Sequence, residues 1–74
     1  MFAKFEAYFD GECWCARGIG ADVFTQGQTM DELMANIREA ASLHFEEILE
    51  KGESLHLLIL SEMEVADVAP LAAS

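Results

Sequence analysis

The nine residues Thr25-Gln-Gly-Gln-Thr-Met-Asp-Glu-Leu constrain the fold of this chain more than any other stretch. Thr29, followed three residues later by Glu32, has the spacing of a capping box. In that arrangement each side chain satisfies a backbone N–H left open at the start of a helix. Met30 is then the first helical residue. Gly27 stands just before it, where a chain leaving a strand must turn and only glycine takes positive φ without steric cost. The stretch predicts a strand-to-helix corner.

Downstream, the spacing predicts a helix from Met30 to about Lys51, with Met30, Leu33, Met34, Ile37, Ala40, Ala41, His44, Phe45 and Ile48 on one broad apolar stripe. Glu32, Asn36, Glu39, Glu46 and Glu50 occupy the other side, which Leu43 and Leu49 interrupt either as scattered apolar surface or as part of an interface. Gly52 stands where a C′ glycine belongs, and Lys51 complements the negative end of the helix dipole. Met30 and Met34 fit core filling rather than a cofactor box. His44 fits a hydrogen-bonded border residue rather than a catalytic or pH-sensing one.

Upstream, Asp10-Gly11 is a strong hairpin signal, because a type I′ turn needs positive φ at both central residues. A two-residue turn pairs Phe9 with Glu12, Ala7 with Trp14 and Phe5 with Ala16, on the face that also carries Ala3. The reverse face carries Lys4, Glu6 and Tyr8 against Arg17, Cys15 and Cys13, with Glu6 and Arg17 diagonal neighbours. Gly18-Ile-Gly-Ala-Asp reads as a turn and Val23-Phe-Thr as a short third strand ending at Gln26-Gly27. Leu55 to Leu60 is a fourth strand, apolar at almost every position and therefore expected to be buried on both faces. Ser61 and Glu64 repeat the capping spacing and predict a short C-terminal helix up to about Ala69, before Pro70. The expected architecture is α+β: a two-layer β-β-β-α-β domain over residues 1–69 with a frayed tail over 70–74. Its mostly antiparallel four-stranded sheet has order 3-2-1-4, the last strand parallel to the first, with one long helix on one face.

A chain of 74 residues is short for a self-sufficient core, since a domain near this size buries only about 60% of the surface its unfolded chain exposes. Two cysteines without a Cys-x-x-Cys motif supply neither a disulfide framework nor a zinc template, so self-association is the expected remedy. Fourteen acidic residues against four basic ones give a net charge of −10, which repels nucleic-acid phosphates and anionic lipid and suits a basic protein partner. The N-terminus lacks the basic-then-apolar order of a signal peptide, and no apolar run approaches the roughly 20 residues of a membrane span. These features predict a cytoplasmic protein with reduced thiols.

The Asp10-Gly11 hairpin, Trp14 followed by Ala16, Thr25-x-Gly27-x-Thr29-x-x-Glu32 and Ala35-Asn36-Ile37-x-Glu39-Ala40, in this order, resemble the HicB antitoxin family over roughly residues 5–49. The resemblance implies a small degenerate ribonuclease-H-like domain that dimerises and occludes a small basic HicA-type ribonuclease toxin, with no chemistry of its own. Two features depart from the family. Gly18-Ile-Gly-Ala-Asp-Val stands where many members have a Pro-rich loop ending in Gly-Cys, so that loop's contacts do not carry over. Many members also continue into a DNA-binding domain, which is not expected here, and neither is operator binding. The alternative from another class is an orphan homodimeric scaffold or small-molecule-binding module without a toxin.

No catalytic, metal or cofactor residues are expected. A ribonuclease-H-type site needs carboxylates from neighbouring strands and the helix to hold two divalent ions, and the fourth strand offers none, while Glu6 points away from Glu39 and Glu46. Cys13 and Cys15 share one strand face, but with only a distant His56 they do not close a tetrahedron, and His44 lies across the sheet from either thiol. The candidate dimer or partner face comprises Tyr8, Cys13, Cys15, Leu57, Leu58 and Leu60. The candidate docking face for a basic partner is Glu46, Glu47, Glu50 and Glu53, which otherwise reads as a solvated surface.

Overall fold

A computed structural model describes residues 1–62. Three strands come first: β1 (Phe2–Phe9), β2 (Trp14–Ile19) and β3 (Phe24–Gly27). They are followed by α1 (Met30–His44), a one-turn helix α2 (Glu46–Glu50) and β4 (His56–Ser61). The sheet order is β3-β2-β1-β4, antiparallel except for the parallel β1–β4 pair, with the long helix on one face. The α+β architecture, the strand order and the parallel last strand are those expected. The expected helix after Ser61 and the tail lie outside the described residues, and Ser61 itself closes β4.

The hairpin register differs from the expected one by two residues. Phe9 pairs with Trp14, Ala7 with Ala16 and Phe5 with Gly18, so Asp10 to Cys13 form a four-residue loop. Asp10 causes this: its Oδ1 accepts the backbone N–H groups of Glu12 (2.8 Å) and Cys13 (2.9 Å), while its own N–H reaches the Cys13 carbonyl at 3.1 Å. An aspartate that holds the backbone two and three residues ahead replaces the two-residue turn, and only Gly11, at φ +106°, takes positive φ there. A shift of two leaves every side chain on its original face, because the strand period is two. Glu6 and Arg17 become direct partners in an exposed ion pair of 2.7 Å. β2 also runs on to Ile19, and the chain turns at Gly20 (φ +83°).

The core lies between the sheet and α1: Ala3, Phe5, Ala7 and Ala16 from the strands meet Leu33, Ile37 and Ala41, with Trp14, Val23, Met30, Met34, Phe45, Leu55, Leu57 and Ile59 around them. The helix begins where expected, Thr29 Oγ1 accepting the Glu32 N–H at 3.1 Å, but the Glu32 carboxylate takes the N–H of Gln28 at 2.9 Å. Gly27 does not have positive φ. Its need for glycine is steric: a Cβ there would lie 2.7 Å from the Leu33 nitrogen, where strand and helix backbones touch. Asn36 reinforces the corner by donating to the Gln26 carbonyl at 2.7 Å.

The single expected helix breaks at Phe45, whose φ of −106° and ψ of 29° separate α1 from α2. After the break, α2 ends as expected at Gly52 (φ +81°), with Gly52 donating to Leu49 at 3.0 Å and Glu53 to Ile48 at 3.3 Å in the paired pattern of a Schellman motif. β4 shows the second departure: Leu57 and Ile59 pack on the core, while Leu58 and Leu60 lie exposed on the opposite face of the chain. In the single chain, β4 is covered on one face, not two.

Candidate functional site

The sheet face away from α1 is set by the strand registers. Residues directly paired across strands share a face, so Phe2, Lys4, Glu6 and Tyr8 of β1 lie with His56, Leu58 and Leu60 of β4, with Cys15, Arg17 and Ile19 of β2, and with Phe24 and Gln26 of β3. Phe2, Ile19, Phe24, Leu58 and Leu60 on this face are each between 44% and 66% exposed. Phe2 stacks on His56 with ring centroids 5.1 Å apart, and the Arg17 guanidinium lies 6.0 Å from the Tyr8 ring centre. The face therefore has two apolar margins around a central strip that holds the Glu6–Arg17 pair. β4 also forms a sheet edge.

Of the expected interface residues, Tyr8, Cys15, Leu58 and Leu60 meet on this face. Leu57 does not, because its side chain is turned into the core. Cys13 lies in the β1–β2 loop at the end of the face. Phe2, Ile19 and Phe24 were not anticipated. The alternation with Arg17 and Cys15 carries Ile19 onto the outer face once β2 is extended by two residues past Arg17, and Phe24 follows from its pairing with Arg17.

Glu46, Glu47, Glu50 and Glu53 are all exposed, the first three on α2 and the last just beyond its glycine cap. Leu43 and Leu49 are exposed nearby in sequence, Leu43 by 68%. His44 is also exposed, its ring edge-on to Phe45 at 4.8 Å, at the border of the apolar stripe.

The β1–β2 loop gathers a third group of side chains. Asp10 Oδ2 lies 3.5 Å from Cys15 Sγ and 3.9 Å from Cys13 Sγ, and the two sulfurs are 4.0 Å apart. Gln26 Oε1 is 3.7 Å from Cys13 Sγ. Cys15 is 2% exposed, and burial, followed by the hydrogen bond to Asp10, pushes its thiol up to about 11. It is therefore protonated at neutral pH and a poor nucleophile. The two backbone N–H groups on Asp10, that of Cys13 first, hold its carboxyl below the ordinary value of 3.8. An open cleft of about 370 Å³, lined by Glu12, Cys13, Gln26, Gly27, Gln28 and Glu32, adjoins this cluster. His56, the third group considered with the thiols, is on β4, two strands away from β2, and stacks on Phe2 instead. Asp10 takes its place.

Glu6 is turned away from the helix and paired with Arg17, so it does not join Glu39 or Glu46 in a carboxylate cluster. Among the described residues, no helix is long and apolar enough to cross a membrane. Comparison with family models, curated proteins and solved structures finds no match for the chain.

Proposed function

We propose that this protein is a HicB-like antitoxin: a homodimer that binds a small basic HicA-type ribonuclease in the cytoplasm and occludes its RNA-cleaving site, without catalysing a reaction itself. The observation that carries the reading is the architecture. Three antiparallel strands and a parallel fourth strand beside the first form the β3-β2-β1-β4 sheet expected from the order of the elements, with a capped helix on one face, and this element order is part of the resemblance. Two surface properties support it. The outer sheet face presents five large apolar side chains to solvent, a feature that marks interaction sites in soluble proteins. The chain carries a net charge of −10, and its exposed Glu46, Glu47, Glu50 and Glu53 offer a basic partner an attractive field.

In this reading the two surfaces have different tasks. Phe2, Ile19, Phe24, Leu58 and Leu60 pack against a second copy, which supplies the apolar burial that one short chain lacks. The acidic residues around α2 steer the toxin, a contribution felt mainly in association rate and selectivity. The direct test mixes the purified chain with a small basic protein encoded beside it, which this reading requires, and follows cleavage of a labelled RNA. Suppression of cleavage at stoichiometric amounts, with co-elution of the two proteins, is expected. Undiminished cleavage and separate elution would reject the antitoxin and leave an orphan dimer.

A further inference from the structure

We propose that Asp10, Cys13 and Cys15 form a three-ligand site for a thiophilic d10 cation of the zinc class, open at its fourth position to the cleft beside Gln26. The sequence alone offered the two thiols only a distant His56, and the four-residue loop supplies a nearby third ligand. In a tetrahedral zinc site, metal–sulfur bonds of about 2.3 Å and metal–oxygen bonds of about 2.1 Å place two sulfurs about 3.8 Å apart and sulfur and oxygen about 3.6 Å apart. The corresponding separations here are 4.0 Å between the sulfurs and 3.5 and 3.9 Å from them to one oxygen, Asp10 Oδ2. Three donor atoms thus already outline one face of such a tetrahedron, and shifts of a few tenths of an ångström complete it.

The carboxylate is also divided as a ligand should be. Oδ1 is occupied by two backbone N–H groups, which fix the orientation of the carboxylate, while Oδ2 is the atom presented to the sulfurs. Outer hydrogen bonds of this kind aim ligands at metals. Cys15 lies on the floor of the site, whereas Asp10 is exposed and Cys13 half-buried, so a cation enters from the loop side. Gln26 Oε1 or a water from the cleft can fill the fourth position. Binding displaces the two thiol protons to solvent and leaves two thiolates and a carboxylate around a divalent ion, with no change of oxidation state. The site does not depend on the antitoxin reading.

The test uses the full chain with its thiols reduced, titrated with Co²⁺ as a spectroscopic substitute and then with Zn²⁺ against a chromophoric chelator. One cobalt per chain with a thiolate-to-metal charge-transfer band is expected, displaced by zinc. Asp10→Asn keeps an oxygen for the loop N–H groups but removes the ligating carboxylate, and should weaken zinc binding by about tenfold or more with an unchanged circular dichroism spectrum. Cys13→Ser, which leaves only the Cys15 thiolate, should weaken both the charge-transfer band and zinc binding. Absence of that band in the wild-type chain, one metal per two chains, or full-strength binding by either variant would overturn the site.

Discussion

Asp10 shows how one side chain can redirect a local signal. Asp-Gly marks a tight turn, and a turn does form there, but the carboxylate captures the N–H groups of Glu12 and Cys13 and lengthens the loop to four residues. Because these bonds favour the ionised form, the folded carboxyl titrates below its unfolded value. The stability it contributes is therefore present above about pH 3.8 and is lost as the pH falls through the lower folded value. Protection of the Glu12 and Cys13 amides, measured against the intrinsic exchange rate at each pH, should fall in that acid range in the wild type, and should be absent at every pH in Asp10→Ala. Gly27 illustrates the opposite situation, in which residue identity was legible but its reason was not. Its flanking pattern marked the corner, yet the constraint is the Leu33 nitrogen lying 2.7 Å from where a Cβ would be. Gly27→Ala should cost about 1–3 kcal/mol in urea denaturation, because backbone on both sides must give way. An unchanged midpoint would mean that the corner relaxes freely.

The elements with strong local signals were readable, and those decided by distant packing were not. Thr29 fixes the start of α1 through its bond to the Glu32 N–H, so Thr29→Ala should destabilise the protein by about 1 kcal/mol in thermal or urea unfolding. The glycine end of α2 was equally plain, since Gly52 takes the positive φ that its position required. The break at Phe45 was hidden because its neighbours keep a continuous helical stripe. Phe45 itself packs partly against the core at the point where α1 gives way to α2. Likewise β4 is apolar at nearly every position, a pattern that cannot distinguish burial by the same chain from burial by another. The pairing of Lys4 with Leu58 and Glu6 with Leu60 assigns the two leucines to the outer face, and Leu57 and Ile59 to the core. Among candidate site residues, Tyr8, Cys15, Leu58 and Leu60 could be grouped by alternation alone. Asp10 could not join the cysteines without the longer loop.

At the scale of the whole molecule, the chain places a core on one side of a four-stranded sheet and leaves large apolar side chains on the other. In the proposed dimer, a second copy packed on that face would make Leu57 and Leu58 respond oppositely to the same substitution. Leu58→Glu should leave the fold intact and shift sedimentation from dimer to monomer, because the charge becomes buried only in the dimer. Leu57→Glu should instead destabilise the chain itself by at least ~2 kcal/mol, since the charge enters the core. A dimeric Leu58→Glu chain would show that the outer face is not the dimer interface. In the proposed function, the acidic surface and the apolar sheet face together serve to silence a basic ribonuclease. The most direct measurement is growth of cells expressing a small basic protein encoded beside this chain, the toxin that the proposal requires, with and without co-expression of this chain. Arrest by that protein alone and recovery with this chain are expected, accompanied by a complex that survives purification. Persistent arrest with both proteins soluble and no complex formed would contradict it.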